Sequence, residues 1–102
     1  MIEITYQPLE PDRITAQVRK DTNGAVVTFL GTTRVFSEGK RVVKLEYEAY
    51  EVMARKKLEE ICQEMRAEFG TTDIAIAHRL GPVDIGQISL VVAVSSPHRR
   101  EA

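Results

Sequence analysis

The chain has 102 residues and a mass of 11.5 kDa, a size that suits one domain, because roughly two thirds of the surface of so short an unfolded chain can be buried on folding. Hydrophobic residues make up 43% of the sequence and charged residues 28%, which excludes disordered and fibrous classes. The formal net charge of −1 argues against general binding to nucleic acid or to an anionic membrane. Any anion-binding site should therefore be local.

The longest apolar run, residues 88–94, is too short to cross a membrane, and the N-terminus lacks the features of a signal peptide. We therefore expect a cytoplasmic protein. The single cysteine, Cys62, excludes an internal disulfide and a CxxC pair. It falls on the apolar face of a predicted helix, where a small buried side chain is the common role.

The N-terminal half of the chain predicts one short helix and two strands. Pro11 followed by Ile14 and Val18 indicates a helix that ends before the Asn-Gly pair at 23–24. Residues 25–30 (AVVTFL) form a β-branched and aromatic run that predicts a largely buried strand, and residues 31–34 (GTTR) end it. A polar loop over 35–41 is then expected, followed by a strand over 43–49 in which apolar and charged residues alternate.

The C-terminal half predicts a long helix and two further strands. Apolar residues recur at helical spacing over 51–69, and Gly70 is placed to end the helix; the predicted buried face holds Leu58, Ile61, Cys62, Met65 and Phe69. Strands follow over 73–79 and 87–95, the second of them central in its sheet, and the turn residues between them indicate a small separate hairpin. The order of elements predicts an α+β fold without repeats or a linker.

The last residues, SSPHRREA, predict the start of a helix with Ser96 as N-cap and Pro97 at the first helical position. A single turn is unstable in water, so we expect the rest of this helix to be missing. Cations near a helix N-terminus oppose its dipole, which suggests that His98, Arg99 and Arg100 serve to bind an anion. A solvated basic turn explains the same charges equally well.

The other candidate side chains have simpler alternatives too. Arg34 lies at the exit of a predicted strand, where most arginines are surface residues without a specific ligand. His78 lies on the apolar side of its strand, which favours a structural histidine. The two histidines are far apart in sequence and no second cysteine or HExxH motif accompanies them, so we predict no metal ligand.

Four segments taken together resemble the catalytic (large) subunit of molybdopterin synthase. They are residues 24–34 (GAVVTFLGTTR), 45–50 (LEYEAY), 76–81 (IAHRLG) and 94–99 (VSSPHR). Each segment alone is a weak signal, but the four occur in order over nearly the whole chain.

The resemblance implies an α/β-hammerhead-like fold with a small additional β subdomain, and a homodimer that binds a ubiquitin-like small subunit at each end. It implies no cofactor. The activity implied is sulfur transfer in molybdenum cofactor biosynthesis: a thiocarboxylate on the small subunit sulfurates cyclic pyranopterin monophosphate twice, which gives the dithiolene of molybdopterin. The small subunit and the pterin are therefore the expected partners, with neither nucleic acid nor membrane.

Carried over onto this sequence, the resemblance implies substrate-binding roles for Thr32, Thr33, Arg34, His98 and Arg99, with His98 also able to move a proton. Members of the family continue into a C-terminal segment with lysines central to catalysis, and residues 1–102 lack it, so we expect this chain alone not to complete the reaction. Two alternatives stay open at this point: a catalytically inactive, truncated homologue that acts as a binding or assembly partner of the small subunit, and an unrelated domain that binds phosphorylated metabolites.

Overall fold

The structure, a computed structural model, describes residues 1–34, 36–37, 40–41, 44–47, 51–70 and 72–102, with the backbone alone described between 36 and 47. Its main sheet contains four strands in the order β1-β6-β8-β2. They are β1 (Ile2–Thr5), β2 (Ala25–Thr32), β6 (Asp73–Arg79) and β8 (Ile88–Ser96). Strand β8 runs antiparallel to both of its neighbours, whereas β1 and β6 are parallel. The predicted central position of β8 is confirmed.

Four shorter strands form two small sheets outside the main one. Strand β3 (Phe36–Ser37) pairs with β4 (Lys40–Arg41), so the loop expected over 35–41 contains a two-stranded ladder; positions 35, 38 and 39 lie outside the described residues. Strand β5 (Lys44–Tyr47) pairs with β7 (Gly81–Asp84), which confirms the small additional β subdomain. The local hairpin predicted between β6 and β8 is wrong, because within the described residues β7 pairs with a strand distant in sequence and not with a neighbouring segment. The other positions of the predicted 43–49 strand, 43, 48 and 49, also lie outside the described residues.

Two helices cover opposite faces of the main sheet because successive side chains of a strand point to opposite sides. Helix α1 (Pro11–Ala16) begins with proline as predicted and places Ile14 and the following Val18 on one face. Three of the sheet residues below them are alanines, which lets this short helix approach closely; the core on this side contains Leu9, Ile14, Val18, Ala75, Ala77, Val91 and Ala93. The mixed α+β class is confirmed.

Helix α2 (Glu51–Phe69) covers the other face and has the predicted limits. Gly70 follows with a φ of 76°, and its N–H donates to the Arg66 carbonyl over 2.9 Å, the left-handed ending that glycine favours. The apolar core on this side is Cys62, Ile74 and Ile76, packed against Ile2, Leu58, Met65, Leu90 and Val92. Two members of the predicted helix face, Ile61 and Phe69, are exposed instead, so the buried stripe of α2 is narrower than its apolar periodicity predicts.

Strand β2 differs most from its prediction. The expected buried strand is an edge strand bonded to β8 alone within the described residues, and its apolar side chains are exposed on both faces. Phe29 is 58% exposed, and Val26, Val27 and Leu30 are exposed as well. A β-branched run predicts burial on both faces, but the sequence does not say which strand will lie at the edge. The described chain thus leaves a continuous apolar strand in contact with water.

A network of hydrogen bonds ties the segment before β2 to the start of β6. The Asp73 carboxylate accepts from Lys20 Nζ and from Asn23 Nδ2, each over 2.8 Å. Asn23 Nδ2 also donates to Ser95 Oγ over 2.8 Å, and the Ser95 hydroxyl donates to the Val18 carbonyl. The hydrogen bond from Lys20 is the main cause that lowers the pKa of Asp73 below its usual value. The network therefore joins three segments of the chain: residues 18–23, the start of β6 and the end of β8.

We expect Asp73→Asn to lower the free energy of unfolding at neutral pH by about 0.2–1 kcal/mol, the range of partly exposed ion pairs. Because the folded-state pKa is lowered, the ionised carboxylate stabilises the protein above the unfolded pKa of ~3.9, and that stabilisation is lost as the pH falls through the folded pKa. Urea unfolding of both proteins at neutral pH and at a series of acidic pH values measures this, and the difference between the two proteins should shrink as the pH falls. Asp21→Asn, at an exposed carboxylate nearby, is the control; equal losses in the two variants would contradict the prediction.

Candidate functional site

The first group of predicted site residues lies where β2 ends. Thr32 is the last residue of the strand and pairs with Ile88 after a shift in register that follows Gly31. Thr33 then forms two backbone hydrogen bonds: its N–H donates to the Gln87 carbonyl over 3.1 Å, and its carbonyl accepts from the Gly86 N–H over 2.7 Å. The position of Thr33 is therefore fixed by the turn before β8, and Arg34 follows it into solvent.

Gln87 is a supporting residue that the sequence analysis missed. Its side-chain Oε1 accepts from Arg79 over 3.1 Å and from the Asp84 N–H over 3.3 Å. Its backbone carbonyl holds Thr33, so one residue links the ends of β6, β7 and β2. The only sequence signal is a polar residue between a glycine turn and an apolar strand, which most surface glutamines share. Gly86 enables this turn with a φ of 82°, a conformation that other residues rarely adopt.

Thr33 and Arg34 differ in what they can bind. Thr33 is 2% exposed, and its Oγ1 makes no hydrogen bond within the described residues. Arg34 is exposed, so its guanidinium can offer a fork of N–H donors to a phosphate or carboxylate that arrives from solvent. A buried hydroxyl without a hydrogen-bond partner lowers the free energy of unfolding, so Thr33 destabilises the fold unless its hydroxyl gains a partner.

The second group lies at the far end of β8. The predicted helix start is wrong in the described chain: Ser96 belongs to β8, pairs with Ala25 and is 1% exposed, and residues 97–101 form bends and turns. Because no described helix follows Ser96, its hydroxyl has no helical N–H groups to cap. His98, Arg99 and Arg100 are exposed. They can attract an anion, but the described residues here supply no row of helical N–H groups.

The position of this turn is fixed by its neighbours. A Cβ at Gly24 would approach the Pro97 carbonyl oxygen to 3.0 Å, so glycine allows the backbone before β2 to contact the backbone after β8. The hydrogen bond from Asn23 to Ser95 holds the same two segments together. The backbone that leads into His98 is therefore held in a defined position, although the His98 side chain is exposed.

The two groups do not meet within one chain. Thr32 pairs with Ile88 at one end of β8, and Ala25 pairs with Ser96 at the other. Eight steps of ~3.4 Å separate Ile88 from Ser96, roughly 27 Å in all. A small substrate cannot contact Arg34 and His98 of the same chain at once.

The remaining candidates are structural. His78 Nδ1 lies 3.0 Å from the Ser89 carbonyl oxygen, in keeping with the predicted structural role. Cys62 is 4% exposed as predicted, and burial raises the pKa of its thiol, which lowers its reactivity. Within the described residues no group of three or more His, Cys, Asp or Glu side chains is arranged to hold a metal ion, and no described helix is long and apolar enough to cross a membrane.

Comparison with known proteins assigns the chain to a family. The family model described as MoaE protein matches residues 4–102. The chain belongs to the MoaE family. It is 47% identical over 100 residues to the molybdopterin synthase catalytic subunit of Bacillus subtilis, a match that covers 98% of this chain and 64% of that protein. The chain therefore spans less than two thirds of the length of this relative.

Solved structures support the same fold. This MoaE family member superposes on the crystal structure of molybdopterin synthase from Staphylococcus aureus with a TM-score of 0.92 and 40% identity, over 98% of this chain and 73% of that one. A complex of subunits 1 and 2 of molybdopterin-converting factor from Helicobacter pylori matches with a TM-score of 0.71 over 98% of this chain and 68% of that one. Its identity of 20% shows the fold alone.

We expect Thr33→Val to raise the free energy of unfolding by about 1 kcal/mol, because the substitution removes a buried hydroxyl without a partner and keeps the shape of the side chain. Chemical denaturation measures the change. Thr15→Val is the matched control, because the Thr15 hydroxyl shares a 2.7 Å hydrogen bond with Thr28 and its loss should not stabilise. A clear loss of stability in Thr33→Val would mean that this hydroxyl has a partner, such as a bound water.

Proposed function

We propose that this chain acts as the catalytic subunit of a molybdopterin synthase, in which sulfur from a thiocarboxylated small subunit converts cyclic pyranopterin monophosphate to molybdopterin. Membership of the MoaE family and the similarity to the Bacillus subtilis subunit support this function. The observation that carries the proposal is the pair of exposed cationic groups, Arg34 at one end of the main sheet and His98 with Arg99 at the other. Each can bind an anionic part of a substrate or of a partner's tail.

The distance between these groups supports a homodimer. Since one chain holds them roughly 27 Å apart, a shared site needs a second copy. Strand β2 offers the contact surface, because it is an edge strand with exposed Val26, Val27, Phe29 and Leu30. Exposed apolar edges of this kind are usually covered by a partner.

Symmetry then brings the two groups together. When a strand pairs edge to edge with its own copy around a two-fold axis perpendicular to the sheet, the two strands run antiparallel. The end of β2 that leads to Arg34 in one copy then lies beside the end at Ala25 in the other, which pairs with Ser96 just before His98. The proposed dimer therefore forms two equal sites, each with Arg34 from one copy and His98 and Arg99 from the other.

The proposed function also assigns roles to the remaining site residues, a partner and a location. Thr32 and Thr33 belong with Arg34 to the substrate-binding residues, Thr32 as an exposed side chain beside it and Thr33 by fixing the backbone from which Arg34 extends. His98 serves as the proton-transferring group. Residues 1–102 form one domain, since the main sheet joins strands from both ends of the chain. The partner is a ubiquitin-like sulfur-carrier subunit, in keeping with the two-subunit complex from Helicobacter pylori, and the location is cytoplasmic.

The homodimer predicts that light scattering at micromolar concentration gives twice the mass of the chain. Phe29→Asp should shift the protein to monomer, because a charge would be buried without a partner in the interface. Val52→Asp is the control, since Val52 is another exposed apolar residue, on α2 and away from β2. A monomer for the unsubstituted chain, or a dimer unaffected by Phe29→Asp, would contradict the β2 interface.

The two cationic groups predict losses of ligand affinity. We expect Arg34→Ala and Arg99→Ala each to weaken binding of the phosphorylated pterin about tenfold or more, because a hydrogen bond to a charged group contributes ~1.5–3 kcal/mol. Calorimetry on the protein with its small subunit measures this. Lys57→Ala is the control, because it removes a charge from the outer face of α2 and should not change the affinity. Unchanged affinity in both arginine variants would show that Arg34 and Arg99 do not bind the pterin.

A further inference from the structure

A second cleft opens where α2 ends and β6 begins, at the same end of the main sheet as His98. Its volume is about 420 Å³, within the ~300–1,000 Å³ typical of small-molecule sites. It is bordered by residues from four segments of the chain, among them Lys20, Asn23, Arg66, Thr72, Asp73 and Pro97. Pro97 directly precedes His98, so this cleft adjoins the turn that carries His98 and Arg99.

The charges around this cleft are unequally engaged. Both Asp73 oxygens already accept hydrogen bonds, one from Lys20 and one from Asn23. The Arg66 side chain, by contrast, makes no hydrogen bond or ion pair with any residue that the structure describes, although its charge helps to lower the pKa of Asp73. Arg66 borders the cleft, and the planar fork of N–H groups in a guanidinium matches the oxygens of a phosphate.

Thr72, which also borders the cleft, points independently to a bound ligand. Its side chain is buried, and its Oγ1 makes no hydrogen bond within the described residues. A hydroxyl can donate one hydrogen bond and accept two. An oxyanion bound between Arg66 and the start of β6 would give this hydroxyl the partner that it lacks.

We propose that this cleft binds the phosphate of a phosphorylated small molecule, with Arg66 as its principal charged contact. The cleft adjoins the anion site proposed at His98 and Arg99. The identity of the molecule that carries the phosphate rests on the proposed function, but phosphate binding itself does not. Hydrogen bonds among Asp73, Lys20 and Asn23, all of which border the cleft, hold these residues in place before a ligand arrives.

Two effects oppose an anion here, the charge of Asp73 and the dipole of α2, and each is smaller than the gain expected from Arg66. The Asp73 charge costs about threefold in affinity, and Lys20, a second cation at the cleft, pairs with it and offsets part of that cost. The cleft lies beside the C-terminus of α2, whose dipole end is negative and disfavours an anion by about two- to fivefold in affinity. A charge-assisted hydrogen bond from a guanidinium favours the same anion by about tenfold or more. Part of the helix end is also satisfied internally, since the Gly70 N–H donates to the Arg66 carbonyl. The net balance favours phosphate.

Titration of the 102-residue chain with inorganic phosphate, followed by backbone amide NMR shifts, tests the site. Shifts should concentrate at Thr72, Asp73 and Arg66, and Arg66→Gln should weaken binding about tenfold or more. Lys57→Gln is the matched control, because it removes the same charge from the opposite face of the same helix. Arg66→Lys should bind with intermediate affinity, and it replaces Arg66→Gln if that variant fails to fold.

For a second variant we expect the opposite change in phosphate affinity. Asp73→Asn removes a negative charge a few ångströms from the cleft and should strengthen phosphate binding about threefold. Loss of binding in Arg66→Gln together with a gain in Asp73→Asn supports the site. Overturning results are phosphate shifts confined to His98 and Arg99, equal binding by the Arg66→Gln and Lys57→Gln variants, or no shifts at all.

These outcomes are separate from a failure of the proposed function, because phosphate binding needs neither the small subunit nor sulfur transfer. A chain that binds phosphate through Arg66, but whose complex makes no dithiolene, contradicts the proposed function alone. Dithiolene formation with phosphate binding that does not depend on Arg66 contradicts this cleft alone.

Discussion

The pairing of β8 on both of its edges is the constraint on which the rest of the molecule depends. Residues 90–95 pair with β6 on one side, and eight of the nine residues of β8 pair with β2 on the other; successive side chains point alternately to the α1 face and the α2 face. Both layers of the core and both ends of the candidate site therefore take their positions from one strand. A change of one residue in its register would exchange the side chains of the two cores and move Thr33 away from Gln87.

The sheet explains why some features could be predicted from sequence and others not. Helix α2 was predicted with correct limits because its apolar residues recur at helical spacing and Gly70 ends it with a left-handed residue. These signals are local. The four-residue strand β1 was missed, since its Ile2 and Ile4 alternate with polar residues over too short a stretch to stand out. The exposure of β2 was also missed, because an edge position is a property of the whole sheet.

The candidate site shows the same division. Residue type and chain order identified Thr33, Arg34, His98 and Arg99 as residues of interest, with help from the family resemblance. Their separation came only from the antiparallel register of β2 and β8, which connects residues far apart in sequence. Ser96 was misassigned for a related reason: a serine before a proline is a good local helix start, but Ser96 continues the ladder to Ala25 and the described residues after it form bends and turns.

The close approach of Gly24 to Pro97 has a consequence for how substitutions in this protein should be interpreted. The turn before β2 and the turn after β8 are in backbone contact, so they form one mechanical unit although some seventy residues of chain separate them. A side chain at position 24 would displace the Pro97 carbonyl and with it the start of the basic turn. In a screen of random variants, such a change would therefore resemble the loss of a ligand-binding residue, although Gly24 has no side chain with which to bind.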